Sequence, residues 1–114
     1  MDNIRFVEYD RILDTNQVKL NYMVKITLDN NTNKESFWVW IESINNDCIT
    51  GIISNNLVST KLHVGQLITF DIKNIKETSE RCYTRDETNI AILMAKTKNN
   101  PITKYFQSIN TKFI

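Results

Sequence analysis

From Val18 to Leu28 the apolar residues fall on alternate positions, Val18, Leu20, Tyr22, Val24, Ile26 and Leu28. Lys19, Asn21, Lys25 and Thr27 lie between them, and only Met23 breaks the polar set. Alternation with period two predicts a strand with one face on a core and the other in water. Asp29-Asn30-Asn31-Thr32-Asn33-Lys34 then supplies residues that tolerate turn geometry, so the chain returns as a hairpin over residues 35 to 43. The returning segment is apolar on both sides, with Phe37, Val39 and Ile41 on one face and Trp38 with Trp40 on the other. Such a strand is either covered on both faces or exposes its indoles as a binding surface.

Asn45-Asn46-Asp47 predicts a second tight turn into a strand over residues 48 to 54, where Gly51 allows a bulge or a close approach of backbone. After Asn55-Asn56 and a short extended stretch at Leu57 and Val58, the run Leu62-His63-Val64-Gly65-Gln66 makes a bend. It leads into a strand over residues 67 to 75 with Ile68, Phe70 and Ile72 facing in. Past Glu77 the period changes. Thr84-Arg85-Asp86-Glu87 has the form of a capping box, and Ile90, Leu93, Met94 and Thr97 recur at helical spacing until Asn99-Asn100-Pro101, predicting a helix over residues 85 to 98. A strand through Asn89 to Ala95 is the competing reading, because a short apolar run is ambiguous by periodicity alone. Pro101 can open another helix with Ile102, Tyr105, Phe106, Ile109 and Phe113 on one stripe.

These elements predict a single α+β domain over residues 1 to 114: a lead-in at 1–16, an antiparallel sheet at 17–76 and a helical segment at 84–113. Four to five antiparallel strands in hairpin order form a curved meander or a small, partly open barrel. One or two C-terminal helices then pack on the sheet. A chain of this length removes about 65% of its unfolded surface from water, enough for one continuous core.

Four stretches carry a resemblance: Glu35-Ser36-Phe37-Trp38-Val39-Trp40-Ile41, then Ile49-Thr50-Gly51-Ile52-Ile53-Ser54-Asn55, then Leu62-His63-Val64-Gly65-Gln66-Leu67-Ile68-Thr69-Phe70, then Ile72 to Ile75. They resemble the YegJ-like bacterial domain family of unknown function, whose strands take the forms E-x-F/M-W-V-x-V and I-T-G-x-L/I-x-N and whose bend takes the form L-K-x-G-D. The match spans roughly residues 18 to 76. Gln66 stands where the family usually has an acid, and the chain after Ile75 departs from the family's short ending. The resemblance implies a curved antiparallel sheet in an α+β fold, brings no catalytic residue, and suggests an accessory or immunity-type binding protein.

The formal charge of +1 and pI near 7.7 argue against a partner held by bulk electrostatics. The charge is unevenly spread, because no acid follows Glu87 while Lys96, Lys98, Lys104 and Lys112 remain. Those lysines form either a basic patch or an ordinary solvated face. Cys48 and Cys82 lack metal-ligand or framework spacing and are expected to be reduced. No leader pattern and no apolar run of membrane-spanning length occurs, so the expected setting is cytoplasmic, without a membrane partner.

Candidate chemistry is sparse. His63 is the single histidine, so a nucleophile at Cys48 or Cys82 would depend on it, and it falls in a bend. Glu8, Asp10 and Asp14 form an acidic, solvated lead-in without the glycine-assisted loop of a calcium site. Phosphate-binding glycine loops, dinucleotide fingerprints and zinc-protease motifs are absent from the sequence. No cofactor is implied. Recognition is the better expectation: a non-enzymatic domain that binds a protein through an exposed sheet edge or the face bearing Trp38 and Trp40. The alternative is a nucleic-acid-binding sheet, with Trp40 and Tyr22 stacking bases and Lys61, Lys73, Lys96 and Lys98 contacting phosphates.

Overall fold

A computed structural model describes residues 4–10, 17–58 and 61–97. Five principal strands and a two-residue strand form one curled antiparallel sheet, followed by a helix: β1 (Arg5–Phe6), β2 (Tyr22–Asp29), β3 (Lys34–Asn45), β4 (Cys48–Ile53), β5 (Leu67–Asp71), β6 (Ile75–Cys82) and α1 (Arg85–Lys96). The path through the sheet is β1-β2-β3-β4-β5, and β6 returns to pair with β2, giving an α+β half-barrel. Its concave interior holds the main core, built from Val24, Ile26 and Leu28 of β2, Phe37, Val39 and Ile41 of β3, Ile49 and Ile53 of β4, and Ile68 and Phe70 of β5.

Each turn has a local cause. The β2–β3 loop places Asn31 at φ +70°, with its N–H donating to Asp29 Oδ1 at 2.9 Å, and the β3–β4 turn places Asn46 at φ +56°. Asparagine tolerates this left-handed region better than most residues. Gly65 sits at φ +88° in the expected bend, and its N–H donates to Ile53 O. Gln66 closes that bend, its Oε1 accepting from the His63 N–H at 3.0 Å, the acceptor role that an acid could also fill. At Gly51 an added Cβ would stand 2.5 Å from both Trp40 O and Val39 Cγ1, so the close approach read from the sequence is present. The adjacent β3 register skips Glu42 in a bulge.

Ahead of the helix, the structure departs from the pattern reading in four places. β2 begins at Tyr22, because Asn21 at φ +70° breaks the strand and leaves Leu20 53% exposed. The outer face of β2 is covered where water was expected: Met23 lies under α1, and the Thr27 hydroxyl is bonded to Tyr9 and Ser36. Part of the lead-in is anchored, since β1 pairs with Leu28 and Asp29, and Phe6 packs on Phe37 and Phe70 at ring-centroid distances of 6.4 and 6.5 Å.

Finally, the strand expected over residues 67 to 75 stops at Asp71. Asp71 caps a single 3-10 turn at Ile72–Asn74, accepting from the Lys73 N–H at 2.8 Å, and the chain turns the corner into β6. The buried Asn74 amide donates to Phe6 O and Val7 O and ties the N-terminal segment to this corner.

The helix reading of residues 89 to 95 holds. Thr84 Oγ1 accepts from the Glu87 N–H, Glu87 Oε1 accepts from the Thr84 N–H, and α1 ends at Lys96 with Thr97 as its C-cap. Its buried face is Thr88, Ala91 and Met94, rotated from the expected stripe, and Ile90 and Leu93 are 38% and 60% exposed. The small Ala91 and the self-satisfied Thr88 hydroxyl, which donates to Thr84 O, form the part of that face nearest the N-terminus. The second helix expected after Pro101 lies outside the described residues. No helix among the described residues is long and apolar enough to cross a membrane.

Candidate functional site

The outer face of the sheet carries a short apolar row formed by register: Met23 on β2 lies opposite Trp40 on β3, which lies opposite Ile52 on β4. Ile92 of α1 and Tyr83, the residue before the helix cap, pack against this row, and Trp40 is left 5% exposed. Its indole Nε1–H donates to Tyr83 O at 2.9 Å, and the Arg85 guanidinium lies 5.5 Å from its ring. Trp38, two residues earlier on the same face, is only partly buried. It sits opposite Lys25, whose Nζ is 5.1 Å from the Trp38 ring and 3.1 Å from Glu77 Oε1.

Beside Trp38 the sheet opens. β6 pairs regularly with β2 at Thr78 and again at Cys82, but the register shifts between them, so residues 79 to 81 bulge away from β2. Ser79 supplies the missing bond: its Oγ accepts from the Met23 N–H at 3.0 Å and donates to Arg81 O at 2.8 Å. A cleft of about 200 Å³ occupies the space between this bulge, β3 and α1. Met23 and Ala91 supply apolar lining, Trp38 and Tyr83 supply aromatic lining, and Ser54, Asn55, Ser79, Arg81 and Glu87 supply the polar lining.

The charged part of this lining is locked. The Arg81 guanidinium lies 3.9 Å from the Tyr83 ring centroid and 3.0 Å from Glu87 Oε2, while the other Glu87 oxygen caps α1. The Thr84 N–H first, and Arg81 second, hold the Glu87 carboxyl below the usual carboxylate range. Arg81 is raised in turn, chiefly by its bond to Glu87 and then by Tyr83. The neutral polar groups are also engaged. Asn55 Oδ1 accepts from the Trp38 N–H at 2.6 Å, Asn55 Nδ2 donates to Asn56 O, and the Ser54 hydroxyl donates to Ile52 O.

The residues singled out from sequence are not assembled in one place. Trp38 and Trp40 share the outer face as expected, with Trp40 buried beneath the helix connection and Trp38 at the cleft. Tyr22 packs instead against the inner core, with Lys19 Nζ 5.8 Å from its ring, so it is on the opposite side of the sheet from Trp40. Lys61 lies in the β4–β5 connection, Lys73 in the 3-10 turn and Lys96 at the last residue of α1, beside Gly65. Lys98 lies outside the described residues. His63 is exposed in its bend, Cys48 is at the β3–β4 turn and Cys82 is at the end of β6; both thiols are exposed and free. Among the described residues no three His, Cys, Asp or Glu side chains converge as metal ligands.

Ser79, Arg81, Tyr83 and Glu87 line the cleft without having been picked out as binding residues. Tyr83 and Glu87 alone have a local signal, as the residue before the capping box and the acid inside it, whereas nothing local marks the bulge that brings Ser79 and Arg81 to the cleft. No protein-family model, curated protein or solved structure matches this chain.

Proposed function

We propose that this is a non-enzymatic domain that binds another protein through the outer sheet face beside Trp38. One observation carries this reading: Trp38 is a large aromatic residue held partly exposed at the lip of an apolar-floored cleft, while its neighbours on β3, Phe37, Val39, Trp40 and Ile41, are buried. Aromatic side chains on rigid supports are the usual anchors of protein interfaces. The resemblance of residues 35 to 75 to a bacterial domain family of unknown function, whose related small domains are suspected of accessory or immunity-type binding, agrees with it.

The nucleic-acid alternative draws less support. Trp40 and Tyr22 are on opposite faces, and the two cations beside the aromatic rings that line the cleft, Lys25 and Arg81, are paired with Glu77 and Glu87. The test is capture of partners on the tagged protein, after nuclease treatment, at low and at high salt. We expect a stoichiometric protein retained at high salt by the wild type and lost by Trp38→Ala with unchanged circular dichroism. Recovery of nucleic acid that vanishes at high salt would put the alternative first.

A further inference from the structure

We infer that the cleft is a pocket for a single neutral, apolar side chain of leucine, methionine or phenylalanine size, presented by a peptide partner; this rests on the protein-binding reading above. Size is the first reason. At about 200 Å³ the cleft is smaller than the roughly 300–1,000 Å³ of sites that enclose small molecules and cofactors. One side chain fits the space that is there.

Hydrogen-bond bookkeeping is the second. Ser79 Oγ is already both acceptor and donor, Asn55 uses its oxygen and one amide hydrogen, and the Ser54 proton is given to Ile52 O. A ligand with a polar edge, such as a nucleobase, would trade its bonds to water for the few that the second Asn55 amide hydrogen and the spare oxygen lone pairs can give. That exchange is unfavourable.

Charge is the third. Arg81 covers the Tyr83 ring at 3.9 Å, so a cation seeking an aromatic face meets a guanidinium already seated there. A carboxylate seeking Arg81 must share the guanidinium with Glu87, which is fixed by the Thr84 N–H on its other oxygen and already balances the charge. Met23, Ala91 and Trp38 remain as the surface on offer, and the bond from Trp40 Nε1 to Tyr83 O holds one side of the pocket in place before any ligand arrives.

The experiment is a titration of the full chain with the N-acetyl amides of leucine, methionine and phenylalanine, and with those of glutamate and lysine. Adenosine and uridine monophosphates complete the set. Binding is read by NMR at the Trp38 indole N–H and the Met23 methyl group. The apolar amides should shift both signals saturably, and Ala91→Leu, which fills the floor, should weaken them by roughly tenfold or more. Trp38→Ala, which removes a wall, serves as the second variant, and the wild-type ranking of ligands stands without either.

Shifts from charged amides or nucleotides at equal or lower concentration, or no shift from any apolar amide, overturn the inference. If Trp38-dependent capture of a protein persists while the amides fail, the pocket assignment alone falls. If both fail, the protein-binding reading falls with it.

Discussion

Gly51 shows how tightly two neighbouring strands are set together. With an added Cβ 2.5 Å from a backbone oxygen and from a fully buried valine, Gly51→Ala forces β3 and β4 apart, and neither obstacle is a flexible side-chain end. We expect a loss of about 1–3 kcal/mol, read as a lower urea midpoint. A glycine inside a strand pattern is legible in the sequence, because few reasons exist for one there. Gly65 was legible for the same kind of reason: a bend needed a residue at positive φ. The tryptophan pair was only half legible. Period two puts Trp38 and Trp40 on one face, but which indole is covered depends on how α1 and Tyr83 cross that face, and no spacing within β3 encodes it.

At the level of elements, α1 owes its start to Thr84 and Glu87 acting on each other's N–H groups. Thr84→Ala should lower stability by about 1 kcal/mol. The acid dependence follows from two depressed carboxyls, Glu87 and Asp29, the latter held down mainly by the Asn31 N–H and then by Arg5. Their contribution is complete above the unfolded value of about 4 and disappears as the pH falls through the lower folded values. Urea midpoints measured between pH 6 and pH 2 should therefore fall, and Glu87→Gln should flatten part of that fall.

The capping box and the hairpins could be read because their signals are local. β6 could not, since Lys76 through Cys82 contains no large aliphatic residue and its strand identity comes from pairing with β2, including the Lys25–Glu77 bridge. β1 escaped for a related reason: two residues carry no periodicity. The helix face was misplaced because Thr88 and Ala91, rather than the larger Ile90 and Leu93, meet the sheet.

For the whole molecule, the two indoles separate scaffold from surface. Trp40→Ala should cost about 3–5 kcal/mol by emptying the space between sheet and helix. Trp38→Ala should cost less than half as much, a difference that thermal melts of the two variants would resolve. The half-barrel was legible as a class of fold, but the cleft was not, because it exists only where the bulge in β6 meets α1.

That same bulge lies on the seam where the last strand of the meander returns to the first, joining Tyr22 to Cys82. Contacts so distant along the chain form only after intervening hairpins have shortened the loop to be closed. The seam is then expected to form late and open early, so that weakening it should raise the unfolding rate more than it lowers the refolding rate, as stopped-flow urea jumps would show. An occupant bridging β2, β6 and α1 would act as a clasp, lengthening the lifetime of the folded chain without altering the route by which it folds.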